Sequence, residues 1–186
     1  MNSMKPMELM QLQQMVSGVM APEPMVKKLA VHADDRGSLF EVLHDYELPY
    51  EKVAGEADIP AFGQVYIVRS PVRGTVRGFH RHIKLWDYFT VVHGRAKVVV
   101  ARRDYGPSGI VQDGIWSTVL AEEAPSIVVI PPYLYHGWEA LTDDVVLVSV
   151  GSEVYDSKSP DEERIPFDAF GNVWGIKAKQ KDTVTR

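Results

Sequence analysis

From Met25 onward the chain is a series of short β-branched and aromatic runs, each ended within a few residues by turn formers. Runs of this kind pack as strands, because branched side chains suit a pleated surface and Gly, Pro, Asn and Asp suit reversals. Strands are predicted at Val26 to Val31, Ser38 to Leu43, Gln64 to Arg69, Val76 to Arg81 and Asp87 to Val92. Five more are predicted at Ala96 to Arg102, Trp116 to Leu120, Ser126 to Ile130, Tyr135 to Leu141 and Val145 to Gly151. Asp35-Arg36-Gly37, Arg73-Gly74, His93-Gly94, Tyr105-Gly106-Pro107-Ser108-Gly109, Pro131-Pro132 and Thr142-Asp143-Asp144 punctuate them. Many short strands at regular spacing restrict the fold to an antiparallel barrel or sandwich. At 186 residues the chain has room for one such domain.

Residues 1–25 are different. Met7 to Val16 is rich in helix formers behind Pro6, and Gly18 with Ala21-Pro22-Glu23-Pro24 ends the stretch. The expectation is a short N-terminal helix or arm over 1–25, then a β-domain over 26–186. The net charge of −5 argues against a sequence-independent grip on nucleic acid. The absence of cysteine excludes disulfides, thiolate nucleophiles and zinc–thiolate centres. No apolar run has the length of a membrane helix, and the default location is cytoplasmic.

The chemistry-bearing residues are histidines. His80 and His82 are two residues apart in a predicted strand, so both side chains point to one face while Arg81 points to the other. The series Gly74, His80, His82, Asp87, Gly94 resembles the first motif of the cupin superfamily, with Asp where Glu is usual. Pro131-Pro132-Tyr133-Leu134-Tyr135-His136 resembles its second motif, with Tyr133 in place of glycine and Ala140 in place of asparagine. Three readings follow: histidines that only satisfy core hydrogen bonds; a metal site of His80, His82, Asp87 and His136; or metal-free acid–base chemistry by imidazoles that titrate near neutrality.

Further segments narrow the resemblance. Asp35-Arg36-Gly37-Ser38-Leu39-Phe40-Glu41, Phe62-Gly63-Gln64, Gly74-Thr75-Val76-Arg77-Gly78-Phe79-His80 and Ile130-Pro131-Pro132 to His136-Gly137-Trp138 resemble, in order, four segments of the dTDP-4-dehydrorhamnose 3,5-epimerase family. The resemblance implies a cupin-type jelly-roll barrel, a homodimer, a nucleotide-linked 4-keto-6-deoxy sugar as substrate and no cofactor. It makes His80 the base that removes a proton beside the ketone, and Arg77 the cation that steadies the enolate. Arg36, Glu41, Gln64 and His136 match sugar-nucleotide-holding positions, with Tyr66 and Lys84 added as nearby pocket candidates. Asp182, in Lys179-Gln180-Lys181-Asp182, matches loosely the family's base-orienting aspartate.

The chain also departs from that pattern. The family's general-acid tyrosine falls near Val148, where there is none, and Tyr155 is the nearest in sequence; Tyr66, Tyr133 and Tyr135 are further candidates to reach the pocket. The family's glutamine two residues after the base is His82, and its pocket lysine falls near Asp87. Arg77-Gly78-Phe79-His80-Arg81-His82 with Lys84-Leu85, and Ser152-Glu153-Val154-Tyr155-Asp156, resemble the dTDP-sugar 3,4-ketoisomerases, in which two histidines shuttle protons. The lead expectation is therefore C3 and/or C5 epimerisation by metal-free proton abstraction, with His80 as base, Arg77 beside it and His82 or a pocket tyrosine such as Tyr155 as donor. The alternatives are 3,4-ketoisomerisation, a metal-dependent cupin enzyme and a non-catalytic sugar-binding cupin.

Overall fold

The computed structural model describes residues 23–35, 37–43, 63–105 and 111–175. The expected N-terminal helix, Arg36 and Asp182 lie outside these residues. Within them the chain forms twelve strands and no helix. They are β1 (Met25–Lys28), β2 (Val31–Asp34), β3 (Gly37–Phe40), β4 (Gln64–Ser70), β5 (Val76–Arg81) and β6 (Asp87–His93), then β7 (Arg95–Tyr105), β8 (Val111–Ala121), β9 (Ser126–Ile130), β10 (Tyr135–Ala140), β11 (Val145–Gly151) and β12 (Glu163–Arg164).

Two five-stranded sheets result, in the orders β1-β9-β6-β11-β4 and β12-β5-β10-β7-β8, and β2 pairs with β3 as a separate ribbon. Every strand pairing is antiparallel. This is the all-β jelly roll that the strand pattern predicts.

Period-two alternation explains why several strands are buried along their whole length. Val98 and Val100 point between the sheets, with Phe89, Val91, Leu120, Val128, Ile130, Leu134, Trp138 and Leu147. Val99 and Ala101, of opposite parity, point out of the second sheet and are covered by Phe79, Tyr135 and Phe170, with Ile165 and Trp174 packed alongside. The outer face of the first sheet is covered likewise, as Leu29, Val42 and Leu43 lie over Tyr88, Ile127, Val129 and Val150. Each fully buried Val, Leu or Ile contributes about 1.5–3 kcal/mol, so the barrel gains from both faces of its central strands.

The boundaries differ from the sequence expectation in ways that have physical causes. The predicted strand Val26 to Val31 is two strands, because the Leu29 N–H turns to the Pro125 carbonyl at 2.9 Å. The strand predicted from Ser38 to Leu43 ends at Phe40, and the two hydrophobic residues Val42 and Leu43 serve as cover for the first sheet. Strand β12 is too short and polar to be read from sequence; it exists because Glu163 and Arg164 pair with Arg81 and His80 along the edge of β5.

Two backbone features bring β5 and β10 close together near the site. Gly78 has φ +147°, and a Cβ there would lie 2.7 Å from the Gly137 Cα. A Cβ on Gly137 would lie 2.5 Å from the Arg77 carbonyl oxygen. In the turn between β9 and β10 Tyr133 has φ 71°, the left-handed conformation that the glycine of the second cupin motif adopts freely. The close approach predicts that Gly137→Ala lowers stability by roughly 1–3 kcal/mol, the cost of forcing atoms into a filled space. A urea unfolding curve that superimposes on that of the parent would show the contact to be relaxed.

Candidate active site

Strand β5 presents His80 and Arg77 toward one end of the barrel, and β10 sets His136 opposite His80 in direct register. The alternation inferred from sequence holds. His80 and His82 enter one space, with ring centroids 5.3 Å apart, while Arg81 points to the other side and is buried. There its guanidinium lies 4.5 Å from the Tyr135 ring and its Nε donates to Glu163 at 2.6 Å. Arg81 therefore anchors β12 and takes no part in the pocket.

A cavity of about 670 Å³ opens here, lined by Gln64, Tyr66, Arg77, His80, His82 and Asp87, among others. It suits a ligand of small-molecule size. Leu147 and Trp138 give it apolar walls, and Glu162 and Arg164 close one side from the segment after the barrel. Tyr155 also lines it, held at the rim where its backbone N–H donates to Gln64 Oε1 at 3.1 Å.

At the inner wall of the pocket Asp87, and behind it His136, are almost fully buried, at 2% and 1% exposure. Asp87 opens β6 in the first sheet, yet its Oδ2 lies 2.9 Å from His136 Nε2 and 3.3 Å from His82 Nε2, both carried by the second sheet and the turn after it. Neither contact is aligned as a hydrogen bond, and Asp87 Oδ2 and His136 Nε2 have no other hydrogen-bond partner. The His80 and His136 rings are 4.3 Å apart between centroids.

This crowding sets the protonation preferences. Burial, reinforced by the neighbouring His136, holds the His80 imidazolium down to a pKa of about 2, so His80 is a neutral ring with a free lone pair at neutral pH. Burial also works against a charge on His82, but the Asp87 carboxylate outweighs it and raises that pKa. Burial resists ionisation of Asp87, and the two imidazoles beside it reverse the balance and hold its pKa low. Burial and the nearby Asp87 charge push the Tyr66 phenol up, keeping it a proton-bearing group.

Several expected residues meet in the pocket and others do not. Arg77, His80, His82, Asp87, Gln64, Tyr66 and Tyr155 line it, with His136 immediately behind. Lys84 is exposed on the turn after His82, where its backbone N–H is tied to Asp161, and it is not among the lining residues. Glu41 is exposed beyond β3 and is not among them either. The position near Val148 assigned to the missing tyrosine resolves by parity. Ser149 faces the cavity with Leu147, and its register partner on β4 is Tyr66, which lines the same cavity.

Sequence reasoning missed Asp161, which organises the turn between β5 and β6. Its carboxylate accepts the backbone N–H groups of Ile83, Lys84 and Leu85 at 3.0, 2.9 and 3.1 Å. Its carbonyl oxygen accepts a hydrogen bond from His82 Nδ1. Arg164 and Glu162 were also passed over. Ser149 had a legible signal, a polar residue at inward parity in an apolar strand.

An antiparallel jelly roll whose open end holds convergent histidines beside an arginine and a tyrosine defines a cupin-type enzyme barrel. The model for the family described as dTDP-4-dehydrorhamnose 3,5-epimerase matches residues 19–185, and the chain belongs to that family. A probable low-salt glycan biosynthesis epimerase of Haloferax volcanii is 30% identical over 77% of this chain and 86% of its own length. A spore coat polysaccharide biosynthesis protein of Bacillus subtilis is 31% identical over 82% of this chain and 95% of its own. Among solved structures, an epimerase of Mycobacterium tuberculosis superposes with a TM-score of 0.63 at 26% identity, covering 79% of this chain and 70% of that one.

The Asp161 network yields a direct test. Asp161→Ala leaves the backbone N–H groups of Ile83, Lys84 and Leu85 without their acceptor, while the backbone carbonyl that receives His82 Nδ1 is retained. It is expected to cost about 2–4 kcal/mol in urea unfolding, since hydrogen bonds to a charged group contribute roughly 1.5–3 kcal/mol each and do not add fully. A loss below about 0.5 kcal/mol, the range of ordinary surface changes, would remove Asp161 from that role.

Proposed function

We propose that the protein epimerises a nucleotide-linked 4-keto-6-deoxy sugar at C3 and/or C5, with His80 as base and Tyr66 as proton donor. The observation that carries this reading is the meeting of His80, Arg77 and Tyr66 in one cavity of substrate size in a chain of the epimerase family. A proton next to a ketone is acidic because the resulting enolate spreads its charge onto oxygen. A cation beside that oxygen lowers the barrier further, and Arg77 lines the same cavity. Neutral His80 accepts the proton, and inversion requires a second group to return one from the other side of the ring.

Tyr66 fits that second role better than Tyr155. Its ring stands on β4 beside Ser149, on the inward parity of the strand, and its phenol is kept protonated. Tyr155 sits at the rim with 55% of its surface exposed, against 42% for Tyr66, and its position is set by a backbone contact to Gln64. Gln64, next inward-facing residue to Tyr66 on β4, and Arg164 offer polar contacts for the sugar or its phosphates. Homodimerisation belongs to the same proposal, supported by the exposed Val65 and Ile67 on the outer face of edge strand β4. So does a cytoplasmic location; no helix among the described residues is long and apolar enough to cross a membrane.

The reaction is tested by incubating the protein with dTDP-4-keto-6-deoxyglucose in deuterium oxide. Deuterium at C3 or C5 together with an inverted centre supports epimerisation. Transfer of the carbonyl from C4 to C3 would identify a ketoisomerase, and no exchange at either carbon would leave a binder. His80→Ala is expected to reduce exchange by at least about 100-fold, the usual worth of a positioned base. Tyr66→Phe is expected to keep deuterium exchange at the carbon His80 serves while slowing inversion by about 100-fold or more. An unchanged inversion rate in Tyr66→Phe would return the donor role to Tyr155 or His82.

A further inference from the structure

We propose that the Ser149 hydroxyl, on the floor of the cavity, donates a hydrogen bond to the ketone oxygen of the sugar and steadies the charge that gathers there as the enolate forms. The assignment rests on the epimerase reading of the same cavity and adds a catalytic group to it.

The case begins with an orphaned atom. Ser149 lines the cavity and is fully buried, at 0% exposure. Its Oγ has no hydrogen-bond partner. Buried hydroxyls are nearly always paired, because leaving water without a replacement bond is costly. Strand β11 is interior to its sheet, with its backbone paired to β4 on one side and to β6 on the other. The register partners of Ser149 on those strands are Tyr66 and Phe89, and the next inward residue on β11 is Leu147. The hydroxyl therefore stands in a mostly apolar stretch of floor and is unsatisfied until the cavity is filled.

The shape of the cavity decides which part of a substrate arrives there. Asp87, Leu147 and Ser149 belong to a floor that is almost fully buried, at 2%, 1% and 0% exposure. Arg77 and Arg164 line the same cavity but are exposed, at the opening between edge strand β4 of one sheet and β5 with β12 of the other. A nucleoside diphosphate is an anion. The Asp87 carboxylate on the floor repels it, and the two guanidinium groups at the opening attract it. The sugar thus enters with C1, the carbon that bears the diphosphate, pointing outward. In a six-membered ring C4 lies across from C1, so the ketone oxygen is carried to the floor.

A ketone oxygen only accepts hydrogen bonds. The Asp87 carboxylate cannot donate one, and neutral His80 is needed with its lone pair free, whereas a serine hydroxyl can donate. Leu147 and Val68, side by side in the next inward layer, suit the methyl group on the neighbouring C5. Enolate formation moves negative charge onto the same oxygen, so a donor fixed there is worth more in the transition state than in the ground state. A carbonyl oxygen has two lone pairs, and a contact to Ser149 is compatible with one to Arg77.

Ser149→Ala removes the hydroxyl and keeps the strand. Because that hydroxyl is unpaired in the free protein, the Tm of the variant is expected to equal or exceed that of the parent. Deuterium incorporation into dTDP-4-keto-6-deoxyglucose is expected to slow about 100-fold in kcat with KM changed less than about 3-fold, the pattern of a lost oxyanion donor. The contact itself is read from the carbonyl stretch of substrate labelled with carbon-13 at C4 and bound to His80→Ala, in which turnover is slow. Adding Ser149→Ala is expected to move that stretch to higher frequency, toward an unbonded ketone. An unchanged stretch, or exchange in Ser149→Ala as fast as in the parent, would overturn the assignment. So would a Tm well below that of the parent, which marks a structural hydroxyl. The two readings fail separately. Exchange by the parent that is indifferent to Ser149 removes the contact and leaves the epimerase reading. A stretch that depends on Ser149 in a chain that exchanges neither C3 nor C5 leaves the contact and removes the epimerase reading.

Discussion

Asp87 sits where the two sheets meet, and the arrangement of the pocket depends on it. It begins a strand of one sheet and presses its carboxylate oxygen against imidazoles from the other, at almost complete burial. A charge in that position is stable only if groups of opposite or polarisable character surround it. The histidines therefore cannot be arranged independently. His136 is fixed from behind by the Leu134 carbonyl, His82 by the Asp161 carbonyl, and both converge on the same oxygen. His80, in register with His136, is left as the ring that faces the cavity without a carboxylate of its own among the described residues.

The rest of the barrel serves this convergence. The close approach of β5 and β10 at Gly78 and Gly137 brings two histidine-bearing strands together, where any side chain would hold them apart. The covered outer faces make the central strands rigid on both sides, so a lone pair on β5 keeps its direction. On the opposite wall, β4 and β11 contribute Tyr66 and Ser149 from adjacent register positions.

Much of this was legible in the sequence because it follows from period two. Strands β9 and β11 have the residues predicted, Ser126 to Ile130 and Val145 to Gly151, and both are apolar runs with clear turn residues at their ends. The shared face of His80 and His82, and the opposite face of Arg81, follow from the same rule. What could not be read depends on contacts distant in the chain. Asp161 reaches the turn after His82 from nearly eighty residues away, and β12 exists by edge pairing and has no propensity of its own. Asp87 was legible as a companion of the histidines, but its almost complete burial depends on the packing of the two sheets. Lys84 and Tyr155 looked close to the site because sequence distance is short, but the turn carries Lys84 outward and leaves Tyr155 at the rim.

The proposed chemistry needs the sugar ring in the cavity, with His80 on one side and the Tyr66 phenol on the other. A crystal structure with a nucleoside-diphosphate-linked 6-deoxy sugar that bears a hydroxyl at C4 examines this most directly. The expected result is a ring whose C3 or C5 lies within about 3–3.5 Å of a His80 ring nitrogen, the separation proton transfer requires. A sugar seated outside the cavity, or with both carbons out of reach of His80, would contradict the proposed chemistry at its centre.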